Sequence, residues 1–155
     1  MSTGNDIICG MSTHITLSDY RALAEVRYQV RRFLHFSEGV ARAAGLEPRQ
    51  HQLLLAVKGL PEGVRPRITE LAERLQIQHH SAVELVDRLA ASGYVRRRRG
   101  QDRREVLLSL TPKGEKVLRQ LSIHHRAEFR KHGPALVEAL KRVTGSAPAS
   151  ARRTE

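Results

Sequence analysis

The chain has no tryptophan and only three phenylalanines and three tyrosines in 155 residues. That scarcity argues against a broad aromatic platform on which single-stranded bases stack. Its one cysteine, Cys9, rules out an intramolecular disulfide and fits a reducing compartment. No apolar run approaches the roughly 20 residues needed to span a bilayer, so no membrane partner is expected. The first residues, MSTGNDIICGMSTHIT, lack a charged start followed by an apolar core. A cytoplasmic protein without a secretory signal is therefore expected. Catalytic patterns are missing too: there is no Ser-His-Asp order, phosphate loop or defensible pair of carboxylates. An enzyme is not expected, and nor is a cofactor.

Acidic residues are also short. Lys and Arg number 27 against 16 Asp and Glu, a net charge of +11. A dimer would double that field, and its natural partner is a polyanion, double-stranded DNA first among them. Length bounds the chain to one domain with helical extensions, and a hydrophobic content of 40% with clear periodicity argues for a packed core.

Leu17 to Ala44 reads as one long helix, with Ser18 and Asp19 at its start and Gly45 at its end. Its apolar residues exceed what the small remainder of the domain would cover, which suggests a partner chain. Pro48 opens a second helix, closed by Gly59 and Pro61. Ile68 is expected to bridge to a later hairpin, and Thr69 to cap a short third helix, TELAERL. A turn at Gln76 to Gln78 leads to a fourth helix, His79 to Ser92, whose Ala82, Leu85, Val86 and Leu89 follow the i, i+3, i+4, i+7 spacing of a buried stripe. Two strands follow, Tyr94–Arg98 and Arg104–Leu110, with Val106, Leu108 and Leu110 on one face and Gly100-Gln101-Asp102 at the tip. Thr111-Pro112 starts a fifth helix to about Lys131. Gly133-Pro134 is expected to break it before a last helix, Ala135–Val143.

Short helix, turn, second helix and arginine-rich hairpin, in that order, form a winged helix-turn-helix, an arrangement suited to reading duplex DNA. With the stripe of the fourth helix buried, His79, His80, Val83, Glu84 and Asp87 face outward. Val83 is placed to meet a thymine methyl group. Gln78, His79 and Ser81 are placed to hydrogen-bond base edges or phosphates. The hairpin concentrates Arg96, Arg97, Arg98, Arg99, Arg103 and Arg104 within nine residues, against the single acid Asp102. Because these cations flank a tight turn, they converge on a narrow tip, where an A·T-rich minor groove attracts guanidinium.

The segments LAERL, LVDRLAASGYV and DRREVLLSLTPKG, flanked by long helices, resemble the multiple-antibiotic-resistance regulator (MarR) family over residues 17 to 143. The resemblance implies a mainly α fold: a three-helix core plus two-stranded β-wing, with long N- and C-terminal dimerisation helices. It implies a homodimer on a pseudo-palindromic operator, usually a repressor that a small aromatic or phenolic anion releases. It also implies that Arg104 is the side chain inserted in the groove and Asp102 its orienting partner. The effector would lie between the first, second and fifth helices, near Tyr28, Arg31 and His35. Glu84 departs from the family pattern, which commonly has a basic or polar residue there. Pairing with Arg88 one turn on is the expected role. The division expected is an arm at 1–16, a dimerisation region at 17–47 and 112–143, a DNA-binding domain at 48–111 and a tail at 144–155. Thr69, Gln78, His80, Glu84, Arg88, Arg97, Arg98, Arg99, Gln101 and Arg103 complete the expected DNA surface.

Two other readings stay open. One is a winged-helix module that binds RNA or a protein through its basic charge. The other is a metal- or redox-responsive regulator on the same scaffold. For the metal, His124, Glu128 and His132 line one helical face, but over about 12 Å of helix, too far for one ion without a partner helix. For redox, Cys9 lacks neighbouring cations that would lower its pKa.

Overall fold

A computed structural model describes residues 14–145. The elements in chain order are α1 (Leu17–Ala43), α2 (Pro48–Lys58), α3 (Ile68–Leu75), α4 (His79–Ala91), β1 (Val95–Arg99), β2 (Val106–Leu110) and α5 (Pro112–Thr144). This is a mainly helical winged helix-turn-helix. The expected arm up to residue 13, Cys9 included, and the tail from residue 146 lie outside the described residues.

The chain forms two compact units. The larger, Leu34–Phe129, is built on an aliphatic core: Leu53, Leu54, Leu71, Val86, Leu89, Leu108 and Leu121 are almost completely buried. These residues come from α2, α3, α4, β2 and α5, so one core fixes the helix-turn-helix and the root of the wing together. The stripe expected on α4 is all present in it: Ala82, Leu85, Val86 and Leu89 are buried. On the hairpin the stripe is shorter than expected. Leu108 and Leu110 are buried, whereas Val106 is 41% exposed because the strand has run past the edge of the core.

The turn between α3 and α4 bends on Gln76, whose φ of 52° is left-handed, uncommon for a residue with a side chain. The Ile77 N–H donates to Ala72 C=O at 3.0 Å, which closes α3 as α4 begins. The wing is an antiparallel pair with Val95 opposite Leu110, Arg97 opposite Leu108 and Arg99 opposite Val106. Directly opposed residues share a face, so Arg97 and Arg99 lie on the core side of the hairpin and Arg96 and Arg98 on the other.

The smaller unit comprises the start of α1 and the end of α5. Ala22, Gln29 and Ala139 are buried there, while Leu17, Tyr20, Leu23, Val137, Leu140 and Val143 are each more than 40% exposed.

Four expectations about helix ends and joints are corrected. The cap of α1 is Thr16, not Ser18: its hydroxyl accepts the Asp19 N–H at 3.2 Å and donates to the Asp19 carboxylate at 2.7 Å. Ile68 is the first residue of α3, and the link to the hairpin is instead the Leu108 N–H donating to Pro66 C=O at 2.9 Å. Arg67, not Thr69, is the α3 N-cap, and its side chain makes no capping bond. Gly133-Pro134 does not break α5, which runs unbroken to Thr144 with Pro134 inside it. Proline removes one N–H and leaves the Arg130 carbonyl without its helical donor; both residues are exposed, where a missing helical bond costs least.

Candidate nucleic-acid interface

Three segments distant in sequence meet beside the wing. One cleft is lined by Arg65, Arg67, Ile68 and Thr69 at the start of α3, by His79 at the start of α4, and by Asp102, Arg104, Glu105 and Val106 of the wing. Thr69, His79, Asp102 and Arg104, singled out separately in the sequence, thus share one surface. The α4 N-terminus has no acidic residue in its first turn and no side-chain cap. Its first N–H groups and its dipole are available to an anion.

Around that cleft, Gln78, His80, Glu84, Arg98, Arg99, Gln101 and Arg103 are exposed. Ser81 and Val83 are half-buried, so the methyl groups of Val83 are only partly presented to a groove.

Two pairings differ from expectation, and a third was not foreseen. Arg88 makes its ion pair with Glu47 at 3.7 Å, across to the N-cap of α2, and not with Glu84 on its own helix. Arg97 is paired with Asp87 of α4. Its place on the core side of the hairpin aims it at that helix, which distinguishes it from Arg98. Asp102 does not hold the Arg104 guanidinium. Its carboxylate accepts the Arg104 backbone N–H at 3.1 Å and its carbonyl accepts the Glu105 N–H at 2.9 Å. Asp102 therefore shapes the turn that presents Arg104, as aspartate commonly does in tight turns.

The residues that sequence reasoning missed are Arg65, Arg67 and Glu105. Both guanidiniums donate to the Glu105 carboxylate, Arg67 at 2.7 Å, and the Glu105 side chain is 9% exposed. The hydrogen bonds from Arg65 and then Arg67 hold its carboxyl below the usual range, so it is ionised at neutral pH. Their signal was faint, two arginines in a proline-containing loop.

A second polar group lies in the larger unit, away from the wing. His51 of α2 and His125 of α5 lie with ring centroids 4.7 Å apart and ring planes tilted by 38°, and both are buried. A carbonyl only accepts, so His125 Nδ1–H donates to Leu121 C=O at 2.6 Å. Its Nε2 makes a second hydrogen bond, to the Ser37 hydroxyl at 2.7 Å. Burial, and next its electrostatic coupling to the neighbouring His125, push the His51 pKa down to about 4.

Tyr28, Arg31 and His35 are exposed on α1. They line neither the cleft at the wing nor those beside Lys58 and Glu47. Among the described residues no three His, Cys, Asp or Glu side chains gather as a metal site, and no helix is long and apolar enough to cross a membrane.

The MarR family model matches residues 44–105, the span from the end of α1 through the wing turn. Among solved structures, the chain is similar to AbsC, a MarR family transcriptional regulator from Streptomyces coelicolor. That match has 23% identity and a TM-score of 0.68, and covers 86% of this chain and 94% of that one. It is also similar to the transcriptional regulator Tm0710 from Thermotoga maritima, at 27% identity and a TM-score of 0.56, covering 81% and 91%. A third similar structure is a mutant of MepR from S. aureus bound to an oligodeoxyribonucleotide, at 18% identity and a TM-score of 0.56, covering 81% and 84%. No protein with a curated description matches the sequence.

Proposed function

We propose, for a chain whose residues 44–105 place it in the MarR family of transcriptional regulators, that it binds a specific double-stranded DNA operator as a homodimer and represses transcription. The observation that carries this reading is the cleft where Thr69, His79 and Arg104 meet. One rigid core holds the start of α4 and the arginine-rich hairpin side by side, so a major-groove helix and a minor-groove wing engage one duplex together. The likeness to a MepR mutant bound to an oligodeoxyribonucleotide supports DNA as the partner.

Dimerisation rests on the smaller unit, where Leu17, Tyr20, Leu23, Val137, Leu140 and Val143 leave an exposed apolar surface on a protein of strong positive charge. Two-fold symmetry then sets half-site centres about 10 bp apart. The effector is a small aromatic anion that lowers DNA affinity, with Arg31 on α1 as its counter-charge and Tyr28 as its ring contact. A phenolic-acid panel in a binding assay tests that part.

The decisive experiment is selection of bound sequences from a random duplex library, followed by footprinting. An inverted repeat protected at two half-sites is the expected result. Binding with no preferred duplex, or equal binding to structured RNA, would favour the rival reading of a basic interaction module.

A further inference from the structure

A carboxylate is out of place on a surface that meets a polyanion unless it is neutralised, and Glu105, next to Arg104, is neutralised twice over. Arg65 and Arg67 reach it from 40 and 38 residues away in sequence. The same loop is tied to the wing a second time by the Leu108 N–H on Pro66 C=O at 2.9 Å. Across the turn, the Gly100 N–H donates to the Glu105 carbonyl at 2.8 Å. A Cβ at Gly100 would lie 2.1 Å from Glu105 Oε2 and 3.0 Å from Glu105 Cβ. The carboxylate therefore occupies space that exists because residue 100 has no side chain.

We infer that Glu105 is a positioning residue for DNA specificity: by holding Arg65 and Arg67 against the base of the wing, it fixes where Arg104 stands relative to α3 and α4. It also withholds two guanidiniums from indiscriminate phosphate contact. Charge is thereby converted into selectivity, since a cation bound to Glu105 adds nothing to affinity for a random duplex. This inference rests on the DNA-binding reading above.

Two variants test it. Glu105→Gln frees both arginines; Gly100→Ala leaves every charge in place and displaces the carboxylate. Affinity is measured against salt on the selected duplex and on a scrambled one, and amide hydrogen exchange of residues 98–106 is measured in the free protein. Glu105→Gln is expected to bind the scrambled duplex more tightly, with a salt slope steeper by about one to two per protomer. The ratio of selected to scrambled affinity should fall about tenfold. Gly100→Ala should lower the ratio as well, and the wing amides of both variants should exchange faster than in the wild type. If the ratio in Glu105→Gln stays within about twofold of wild type, the inference is wrong. It is equally wrong if Gly100→Ala leaves ratio and exchange untouched, for the carboxylate would then act only as bulk charge. A wild type with no preferred duplex overturns the DNA reading along with this one. A wild-type preference that survives in both variants overturns this inference alone.

Discussion

Six arginines crowd the wing between Arg96 and Arg104, while the contact of α1, α2 and α5 near Ser37 holds two histidines almost closed to water. Both regions are built from basic side chains, and solvent treats them in opposite ways. On the wing, water and salt screen the guanidiniums, so they stand close together at little cost and their effect appears when a polyanion displaces the counterions. Around His51, burial makes the charged form costly and the ring stays neutral. The same chain thus spends basic residues as solvated charge in one place and as buried packing in the other. Perturbing the first should alter binding and spare stability; perturbing the second should do the reverse.

The largest effect expected is on stability in acid. His51 has a folded pKa of about 4 against an ordinary 6.5. Below 6.5 the unfolded chain takes up a proton that the folded one refuses, so stability falls as pH drops from 6.5 towards 4 and then levels off for this group. The loss is on the order of 3 kcal/mol. Urea unfolding across that range should show it, and the difference from His51→Gln isolates it. A wild-type curve parallel to that of the variant would mean that His51 is solvated, and the contrast would collapse.

Next comes Arg104→Ala, expected to weaken operator binding by about 1–3 kcal/mol per protomer, most on A·T-rich flanks. Its stability should stay within about 0.5 kcal/mol of wild type. Equal losses on specific and scrambled duplexes would reduce Arg104 to one more phosphate contact. Ser37→Ala mirrors it at smaller scale: the hydrogen bond between Ser37 and His125 Nε2 is lost, stability falls by about 1 kcal/mol, and DNA affinity is unchanged. Arg97→Ala should have the smallest effect. Its pair with Asp87 is exposed enough that stability should change by less than about 0.5 kcal/mol. If Arg97 also meets phosphate, the salt slope drops by about one per site; an unchanged slope would assign it wholly to Asp87.

What the sequence disclosed divides along the same line. The buried stripe of α4 and the hairpin were legible because their periodicity is local: Ala82, Leu85, Val86 and Leu89 announce one helical face without reference to any other segment. The cap of α5 was legible for the same reason, a Thr-Pro pair at a helix start. The pairings were not. Arg88 had a suitable acid one turn away and took Glu47 instead, because a core-packed helix brings another element within reach. Glu105 was hidden because its partners lie in a loop that becomes adjacent only when β2 packs on Pro66. His125 sits in a polar-looking stretch, IHHRAEFRKH, where composition suggests an exposed face, yet tertiary packing buries it. Proline misled in the other direction: Pro134 stands on an exposed turn of α5, where losing one helical bond is tolerated.

Thr111 has a consequence for anyone who would exchange wings between relatives. Its hydroxyl donates to Gly93 C=O at 2.5 Å and accepts the Gly114 N–H at 3.1 Å, joining the exit of α4 to the entry of α5. A Cβ at Gly114 would fall 2.1 Å from the Tyr94 carbonyl oxygen, so the joint closes only around a bare backbone. The hairpin is consequently not a modular loop that can be cut at its two strand ends. A graft limited to residues 95–110 would leave its root mismatched, whereas one carried from Gly93 through Gly114 would bring its own socket.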